Sequence, residues 1–297
     1  MTKAEFAALV QKGPVLLDGA TGSNFLKSGM SKGASAELWA DSHPEVCLAL
    51  QEAYRASGSR ILYAPTFQAQ PAALAKAGRE ADTEALNARL VRLCHQAAGD
   101  SAFVAGDMAT MAGDLESWAA ENFQRMVELY RRQIAGLLEG GADLLVAETL
   151  LYPQEAEAVL TAAELEDAGI PVLYSFTMQP DGSLFSGMEA GPVLRELEEA
   201  GAAAVGFNCV AASEQLPALV SRLRRYVKGP LLSKPNAGNP VISPQGLAEY
   251  PMEPQEFAVL QTQAAQLGAN LLGGCCGTGP RYIAALRESL WAAGYQV

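Results

Sequence analysis

Eight short apolar runs follow one another along the chain, and each is rich in aliphatic residues and bounded by turn-forming residues. Runs of this length and composition predict strands that are buried on both faces. The predicted strands are residues 15–20, 61–67, 102–108, 143–149, 172–178, 203–209, 230–236 and 270–275.

Helical patterns fill the intervals between these strands, with apolar residues recurring three or four positions apart. The clearest predicted helix covers about residues 116–139 and ends at two glycines. At the N-terminus, residues 2–10 predict a short additional helix that begins with a Thr2/Glu5 capping box. The other predicted helices are about residues 44–57, 82–98, 154–168, 192–200, 213–226, 254–267 and 280–293.

Strand and helix alternate eight times without a linker or a low-complexity segment, which predicts a single (β/α)8 TIM barrel over residues 1–297. The alternative α/β architecture is a doubly wound open sheet, whose strongest sign is a glycine-rich dinucleotide fingerprint after an early strand. The segment Asp18-Gly19-Ala20-Thr21-Gly22 lacks the third glycine of that fingerprint. The sequence therefore favours the barrel.

Composition narrows the class of protein. The 297 residues are 49% hydrophobic and 18% charged, which predicts a large buried core. The formal net charge of −12 opposes binding to a nucleic-acid backbone. No apolar run approaches the roughly 20 residues that span a bilayer, and the first ten residues do not resemble a signal peptide. We therefore expect a cytoplasmic protein with neither a membrane nor a nucleic-acid partner.

Polar or sulfur-containing side chains close all eight predicted strands. In TIM barrels the carboxyl ends of the strands form the mouth at which chemistry takes place. Polar groups there are costly to desolvate, so the pattern indicates an open, functional rim. The residues are Asp18, Thr66, Asp107, Glu148, Thr177, Asn208 with Cys209, Asn236, and Cys275 with Cys276.

Three cysteines of this rim predict a metal site. Cys209 ends the sixth predicted strand and Cys275 and Cys276 end the eighth, so only one strand separates them in a barrel. A three-thiolate site suits zinc and leaves a fourth position for water or substrate. Neighbouring strand residues normally point to opposite faces, so the Cys-Cys pair requires a backbone bend, which the flanking glycines permit. The alternative role for each cysteine is that of a small buried hydrophobe.

The other two cysteines and both histidines are predicted to be structural. Cys94 continues the apolar face of one predicted helix, and Cys47 lies among the apolar positions of another. His43 and His95 lie far from every predicted strand end. We therefore assign none of the four a role in chemistry.

An Asn-Cys motif followed by a later Gly-Gly-Cys-Cys motif is highly specific, and the sequence resembles the homocysteine S-methyltransferase family over nearly its whole length. This family is the zinc-dependent barrel that also forms the first module of cobalamin-dependent methionine synthase. The motifs that carry the resemblance are Asp18-Gly19-Ala20-Thr21-Gly22, Pro65-Thr66-Phe67, Glu148-Thr149, Ser175-Phe176-Thr177, Gly206-Phe207-Asn208-Cys209, Lys234-Pro235-Asn236-Ala237-Gly238 and Gly273-Gly274-Cys275-Cys276-Gly277-Thr278.

The resemblance implies that Cys209, Cys275 and Cys276 are the zinc ligands. It also implies that Asp18 and Glu148 bind the amino group of homocysteine. An acidic residue at a strand end can instead cap the helix that follows it. Two acids that face one mouth favour the ammonium partner.

The resemblance further implies that backbone amides of Gly19, Ala20 and Thr21 bind the carboxylate of the amino acid. Asn208 and Asn236 would shape the rim, although Asn236 could equally serve the turn that follows it. Two segments depart from the family pattern. Residues 105–108 read Ala-Gly-Asp-Met where a Gly-Ser-Ile-Gly-Pro-like turn is expected, and Gly279 replaces a second threonine. These two departures leave the zinc and amino-acid motifs intact and concern the methyl-donor side of the mouth.

The expected function is a zinc-dependent transfer of a methyl group to the thiol of homocysteine, giving methionine. Zinc favours the thiolate, so no histidine or glutamate base is needed. No corrinoid or folate module follows the eighth helix before Val297, so we expect an external donor. That donor is a methyl-corrinoid (methylcobalamin) on a separate protein, or a small sulfonium or ammonium compound. Two alternatives stay open: a methyltransferase for another thiol or selenol, and a non-catalytic zinc-binding barrel.

Overall fold

A ring of parallel strands forms the centre of the protein. The structure, a computed structural model, describes residues 1–111, 120–244 and 246–297. Within these ranges the strands are β1 (Val15–Leu16), β2 (Ile61–Tyr63), β3 (Phe103–Ala109), β4 (Leu144–Leu150), β5 (Val172–Phe176), β6 (Ala204–Ala211), β7 (Leu231–Asn236), β8 (Val241–Ile242), β9 (Ala248–Glu249) and β10 (Leu271–Leu272).

The ring follows the order of the chain. Each strand from β2 to β6 pairs in parallel with the strand that follows it, β7 pairs with β10, and β10 pairs with β1. A parallel bridge between Leu17 and Ile61 joins β1 to β2 and closes the ring. Strands β8 and β9 form a separate antiparallel hairpin after β7. The predicted eight-stranded TIM barrel is confirmed, and all eight predicted strands are present.

Helices surround the barrel. They are α1 (Lys3–Gln11), α2 (Gly22–Lys27), α3 (Ala36–Ser42), α4 (Pro44–Ser57), α5 (Pro71–Ala75), α6 (Thr83–Ala98), α7 (Ala120–Glu139), α8 (Pro153–Leu165), α9 (Ala190–Glu199), α10 (Leu216–Leu223), α11 (Pro254–Gln266) and α12 (Pro280–Ala292), with a 3-10 turn at Glu80–Asp82.

Each of the nine predicted helices has a counterpart whose ends differ by a few residues. The predicted start of α7, residues 116–119, lies outside the described residues. Helices α2, α3 and α5 have no predicted counterpart, because five to seven residues are too few to show a helical period. None of the helices in the described ranges is long and apolar enough to cross a bilayer.

Helix α1 closes the amino end of the barrel. The Thr2 hydroxyl accepts a hydrogen bond from the Glu5 amide at 3.2 Å, and the Glu5 carboxylate accepts one from the Thr2 amide at 2.6 Å. This confirms the predicted capping box. Phe6 and Val10 are buried in the apolar cluster inside the barrel, so α1 seals this end with apolar contacts.

The pleat of the strands separates an apolar interior from a polar mouth. Side chains two positions apart in a strand point to the same face. Ala105 on β3 and Val146 on β4 belong to the cluster inside the barrel. Asp107 and Glu148 follow them by two positions and therefore face the barrel axis at the carboxyl end. The same two-residue period thus builds the core and delivers polar groups to the mouth.

Candidate active site

A cavity of about 320 Å³ opens at the carboxyl ends of the strands. Cys209, Cys275 and Cys276 form part of its wall, and residues 19–23 of the loop after β1 form another part. Asp107, Glu148 and Lys234 also line it. The three predicted cysteines, Glu148 and the loop after β1 therefore meet at this cavity. Asp18 is not part of the cavity wall and contacts the lining residue Lys234.

The three cysteine sulfur atoms lie within 4.8 Å of one another. Cys209 has a backbone φ of +53°, and the pairing between β6 and β7 shifts register just after Asn208. In a regular strand, the residue after an inward-facing one points away from the barrel axis. The irregularity therefore changes the direction of the Cys209 side chain. The convergence expected of the three thiols is present in the structure.

A bend after β10 brings Cys275 and Cys276 to the same side. The Cys275 amide donates to the Pro235 carbonyl at 2.7 Å. The Thr278 hydroxyl donates to the Cys275 carbonyl at 2.7 Å. Gly277 has a φ of +83°, and a Cβ atom there would clash with the Tyr250 side chain. The bend therefore requires glycine at this position for both conformation and space.

The two predicted asparagines lie against the cysteines. Asn208 is fully buried, and its carbonyl oxygen accepts hydrogen bonds from the Thr149 amide at 2.8 Å and the Ser175 hydroxyl at 2.9 Å. Its amide nitrogen lies 3.9 Å from Cys275 Sγ as a donor. Asn236 accepts the Cys276 amide at 3.0 Å. Asn236 therefore holds the backbone of Cys276, and Asn208 links the residue before Cys209 to β4 and β5.

The thiols share protons. Hydrogen bonds with Cys209 and Cys275 lower the pKa of Cys276 to about 3, with a further contribution from the Tyr250 phenol. Hydrogen bonds with Cys275 and Cys276 raise the pKa of Cys209. Neighbouring sulfur atoms that share hydrogen bonds in this way are suited to holding a cation.

The cluster fits a zinc ion. Zn–S bonds of about 2.3 Å in a tetrahedron place the sulfur atoms about 3.8 Å apart, so a small contraction is sufficient. Thiolates are the soft donors that zinc prefers in proteins. In the part of the chain that the structure describes, the metal-ligand cluster consists of these three cysteines. Three protein ligands leave one position of a tetrahedral zinc ion for a further ligand.

Lys234 lies between the two predicted acids. Its ammonium nitrogen is 3.5 Å from Asp18 Oδ1 and 3.5 Å from Glu148 Oε2, and 4.1 Å from the centre of the Tyr63 ring. Asp18 also accepts the Tyr63 amide at 2.7 Å. All three charged groups are buried. The structure thus adds a cation that the sequence interpretation did not assign to the site.

Burial dominates the titration of these groups. It raises the pKa of Asp18 to about 6 and that of Glu148 to about 7, and Lys234 opposes both shifts. Burial alone lowers the pKa of Lys234, but the Glu148 and Asp18 carboxylates raise it well above its usual value. The lysine therefore remains an ammonium group.

A sequence signal for Lys234 does exist. It follows Leu232 of the interior cluster by two positions, so it faces the axis within a buried strand. A lysine at such a position requires a carboxylate partner. Periodicity identifies the inward direction, but it does not say which carboxylate is near.

The loop after β1 is held from outside the cavity. The Ala20 amide donates to the Thr278 hydroxyl at 3.2 Å. The Ala20 carbonyl accepts from the Tyr54 hydroxyl at 2.8 Å and from the Asn24 side chain at 2.7 Å. The cavity wall also includes Gly19 and Thr21. The Ala20 amide is thus already bonded, unlike the role that the resemblance implies for it.

The residues predicted to be structural lie away from the cavity. Cys47 and Cys94 are buried among apolar side chains of α4 and α6. Burial raises the pKa of the Cys47 thiol to about 12. His43 stacks on Trp39, and His95 contacts the Gly141 carbonyl at 2.8 Å. The positions of these cysteines and histidines agree with a structural role.

Fold and site together define a class of protein: a TIM barrel with a three-thiol metal site at its mouth, beside a cavity lined by buried charges. The chain belongs to the homocysteine S-methyltransferase family, whose sequence model matches residues 15–290.

Solved structures share the architecture over almost the whole chain. The oxidized form of the homocysteine methyltransferase MmuM from Escherichia coli is 27% identical with a TM-score of 0.80, covering 95% of this chain and 98% of that one. Its metallated form is 26% identical with the same TM-score and coverage. A methyltransferase from Methanosarcina mazei is 13% identical with a TM-score of 0.62, over 99% of both chains, and shows the fold alone.

Curated relatives are much longer proteins. Methionine synthase of Mycobacterium leprae is 34% identical over 161 residues, which are 52% of this chain and 13% of that protein. Methionine synthase of Mycobacterium tuberculosis is 35% identical over a segment with the same coverage. The chain thus matches only a small part of each.

Proposed function

We propose that this protein transfers a methyl group to the thiol of homocysteine and releases methionine. The observation that carries the proposal is the cluster of three thiols in the wall of a cavity that also contains buried acids. A thiol-binding metal site beside ammonium-binding groups suits an amino acid with a terminal thiol. Membership of the family and the likeness to the E. coli homocysteine methyltransferase support it.

In this mechanism Cys209, Cys275 and Cys276 hold one Zn²⁺ ion. When bound, zinc acts as a Lewis acid that favours the deprotonated form of a thiol. The three cysteines leave one side of the cluster facing the cavity, and the cavity wall excludes water from a bound thiol. Fixed walls also orient the sulfur toward the donor methyl group, so the attack becomes a positioned displacement.

We assign the amino-acid end of the substrate to other lining residues of the cavity and to Asp18, which contacts the lining residue Lys234. Asp18 and Glu148 supply negative charge for the ammonium group, with Lys234 between them. Gly19 and Thr21 supply backbone near the carboxylate. Asn208 and Asn236 act on the cysteines and not on the substrate: Asn208 contacts Cys275 Sγ, and Asn236 holds the Cys276 backbone. This division accounts for every residue of the predicted site except the Ala20 amide.

The methyl donor is a methyl-corrinoid carried by a partner protein, or a small sulfonium or ammonium compound. Apolar side chains near the mouth favour the partner protein. Phe185 and Met188 follow β5 and are 54% and 48% exposed, and Val241 and Ile242 follow β7 and are 58% and 67% exposed. Exposed apolar patches of this kind mark surfaces that contact other macromolecules. Because free thiols persist in reducing compartments, we place the reaction in the cytoplasm.

A methyl-transfer assay tests the proposal. The zinc-loaded protein is incubated with homocysteine and, separately, with methylcobalamin, S-methylmethionine and betaine, and methionine is quantified. Methionine formation with any donor supports the proposal, and its absence with all of them contradicts it. Cys47→Ala serves as a matched control, since that thiol is remote from the cluster.

A zinc titration separates the two remaining classes. For a homocysteine enzyme, homocysteine should tighten zinc binding and release a proton from its thiol. A zinc-storage barrel should show no effect of homocysteine. A methyltransferase for another thiol or selenol should respond to that compound and not to homocysteine.

A further inference from the structure

The Tyr250 phenol contacts the thiol cluster without forming part of the cavity wall. Tyr250 directly follows β9, in the connection between β7 and α11. Its side chain shares a hydrogen bond with Cys276. The cavity wall includes Cys276 but not Tyr250. The phenol is therefore a partner of a predicted zinc ligand and not a wall of the space that a substrate would fill.

Close packing holds the Tyr250 ring beside Cys276. A Cβ atom on Gly277, the next residue, would clash with the Cβ, Cγ and Cδ2 atoms of Tyr250. The ring thus occupies the space beside the Gly277 backbone. Because packed side chains have little freedom to move, the position of the hydroxyl group relative to Cys276 is fixed.

Contacts on both sides of Tyr250 fix the segment that carries it. Before Tyr250, β8 and β9 form the antiparallel hairpin, and Lys32 Nζ donates to the Gly246 carbonyl at its turn at 2.8 Å. After Tyr250, the Tyr282 hydroxyl donates to the Met252 carbonyl at 2.7 Å. The hairpin is therefore anchored to the rest of the barrel, and Tyr250 is preorganised.

A zinc site made of thiolates benefits from hydrogen-bond donors. Three thiolates already outnumber the two positive charges of zinc, and a substrate thiolate adds one more negative charge. A hydrogen bond donated to a ligand sulfur offsets part of this charge. The structure shows one such donor at Cys275, because Asn208 Nδ2 lies 3.9 Å from its sulfur. A phenol is protonated at neutral pH, so Tyr250 can be a second donor.

We propose that Tyr250 is a positioning residue of the metal site, whose hydroxyl group donates to the Cys276 sulfur and thereby favours the binding of a fourth, anionic thiolate. The inference rests on the proposed function, in which this thiolate belongs to homocysteine. No covalent step is involved.

Tyr250→Phe tests the inference, because it removes the hydroxyl group and keeps the ring that packs on Gly277. Asn208 is less suitable, since its side chain also bonds to Thr149 and Ser175. Competition with a chelator gives the zinc affinity of each protein. Calorimetry of the zinc-loaded proteins at several pH values gives the dissociation constant for homocysteine and the pH midpoint of its binding.

Three changes are expected in Tyr250→Phe. Zinc should bind about 10-fold more weakly, as for loss of a side chain that contacts a metal ligand. Homocysteine should bind about 10-fold more weakly, because a hydrogen bond to a charged group is lost. The pH midpoint of homocysteine binding should rise, because a more negative metal site favours the thiolate form of the substrate less.

Tyr226→Phe is the matched control, because the Tyr226 hydroxyl donates at 3.3 Å to Glu189, an exposed acid that precedes α9. It should leave zinc affinity, homocysteine affinity and the pH midpoint unchanged. Urea unfolding measures the stability of each variant. Tyr250→Leu repeats the test with another side chain that lacks a hydroxyl group, in case Tyr250→Phe does not fold.

Unchanged zinc and homocysteine affinities in Tyr250→Phe overturn the inference. Tighter homocysteine binding also overturns it, because the hydroxyl group would then compete with the substrate thiolate. Weaker binding with an unchanged pH midpoint and a lower free energy of unfolding indicates a structural role, which overturns it as well. Failure of the unmodified, zinc-loaded protein to bind homocysteine contradicts the proposed function itself.

Discussion

The two ends of this barrel are built from the same strands and behave oppositely. At the amino end, α1 inserts Phe6 and Val10 into the apolar interior, and its first turn is capped. At the carboxyl end, three thiols and four charged groups surround a cavity, and Cys209 adopts a left-handed backbone conformation. One end is closed by satisfied contacts. At the other, buried oxygens of Tyr63 and Asp107 have no hydrogen-bond partner in the part of the chain that the structure describes.

The contrast teaches where stability and chemistry reside in a TIM barrel. Apolar burial favours folding in proportion to the area removed from water, so it is placed where nothing must enter. Unpaired charge and strained backbone cost free energy and persist where a ligand completes them. Substitutions at the amino end should therefore change stability, and substitutions at the mouth should change binding and catalysis.

The largest effect is expected at the thiols. Cys209→Ser, Cys275→Ser or Cys276→Ser should each lower zinc content. Loss of a residue that only contacts a metal ligand reduces activity by up to about 100-fold, so loss of a ligand itself should reduce methyl transfer by more than that. Metal analysis and the methionine assay measure both. Cys94→Ala, at a buried thiol away from the mouth, should keep zinc and activity. A zinc-free Cys276→Ser protein with full activity would rule out the mechanism.

The amino end should respond in stability instead. Phe6→Ala removes a buried ring from the interior cluster and should destabilise the fold by about 3–5 kcal/mol. Urea unfolding measures the change, while the dissociation constant for homocysteine should stay the same in the folded protein. Trp291→Ala removes a ring that is 74% exposed and should shift stability by less than about 0.5 kcal/mol. A lowered homocysteine affinity in Phe6→Ala would show that substrate binding at the mouth depends on packing at the amino end.

A smaller effect is expected at Glu148. Glu148→Gln keeps the shape of the side chain and removes a charge near the ammonium group, so homocysteine should bind about 10-fold more weakly. Zinc content should remain that of the unmodified protein. Glu139→Gln, an exposed acid that precedes β4 at the opposite end, is the control. Unchanged affinity in Glu148→Gln would remove this residue from the substrate site.

The smallest effect is expected at the cap of α1. Thr2→Ala removes the hydroxyl that accepts the Glu5 amide and should cost about 1 kcal/mol of unfolding free energy. Thr161→Ala, within α8, is the control, because that hydroxyl donates to the Glu157 carbonyl of its own helix. Any loss of methyl transfer in Thr2→Ala, once corrected for unfolded protein, would show that the ends are coupled.

The sequence predicts the barrel elements better than it predicts the elements around the site. Hydrophobic periodicity suffices for the eight strands and the longer helices, because burial repeats every two or about 3.6 residues. Periodicity does not predict α2 and α3, because these helices beside the mouth are too short to show a helical period. The predicted strand 15–20 shortens to Val15–Leu16, since the backbone leaves the ring where the cavity wall begins. Boundaries at the mouth are decided by the cavity and not by local pattern.

By itself, the sequence determined the alternation of strands and helices, the inward direction of each strand position and the type of donor at each strand end. These are local properties, because they depend on side-chain chemistry and on the period of the backbone. Only the tertiary structure decided that Lys234 lies between Asp18 and Glu148 and that, within the described ranges, Asp107 Oδ1 has no hydrogen-bond partner. Charges interact through space, and residues from β3, β4 and β7 become neighbours only when the sheet closes.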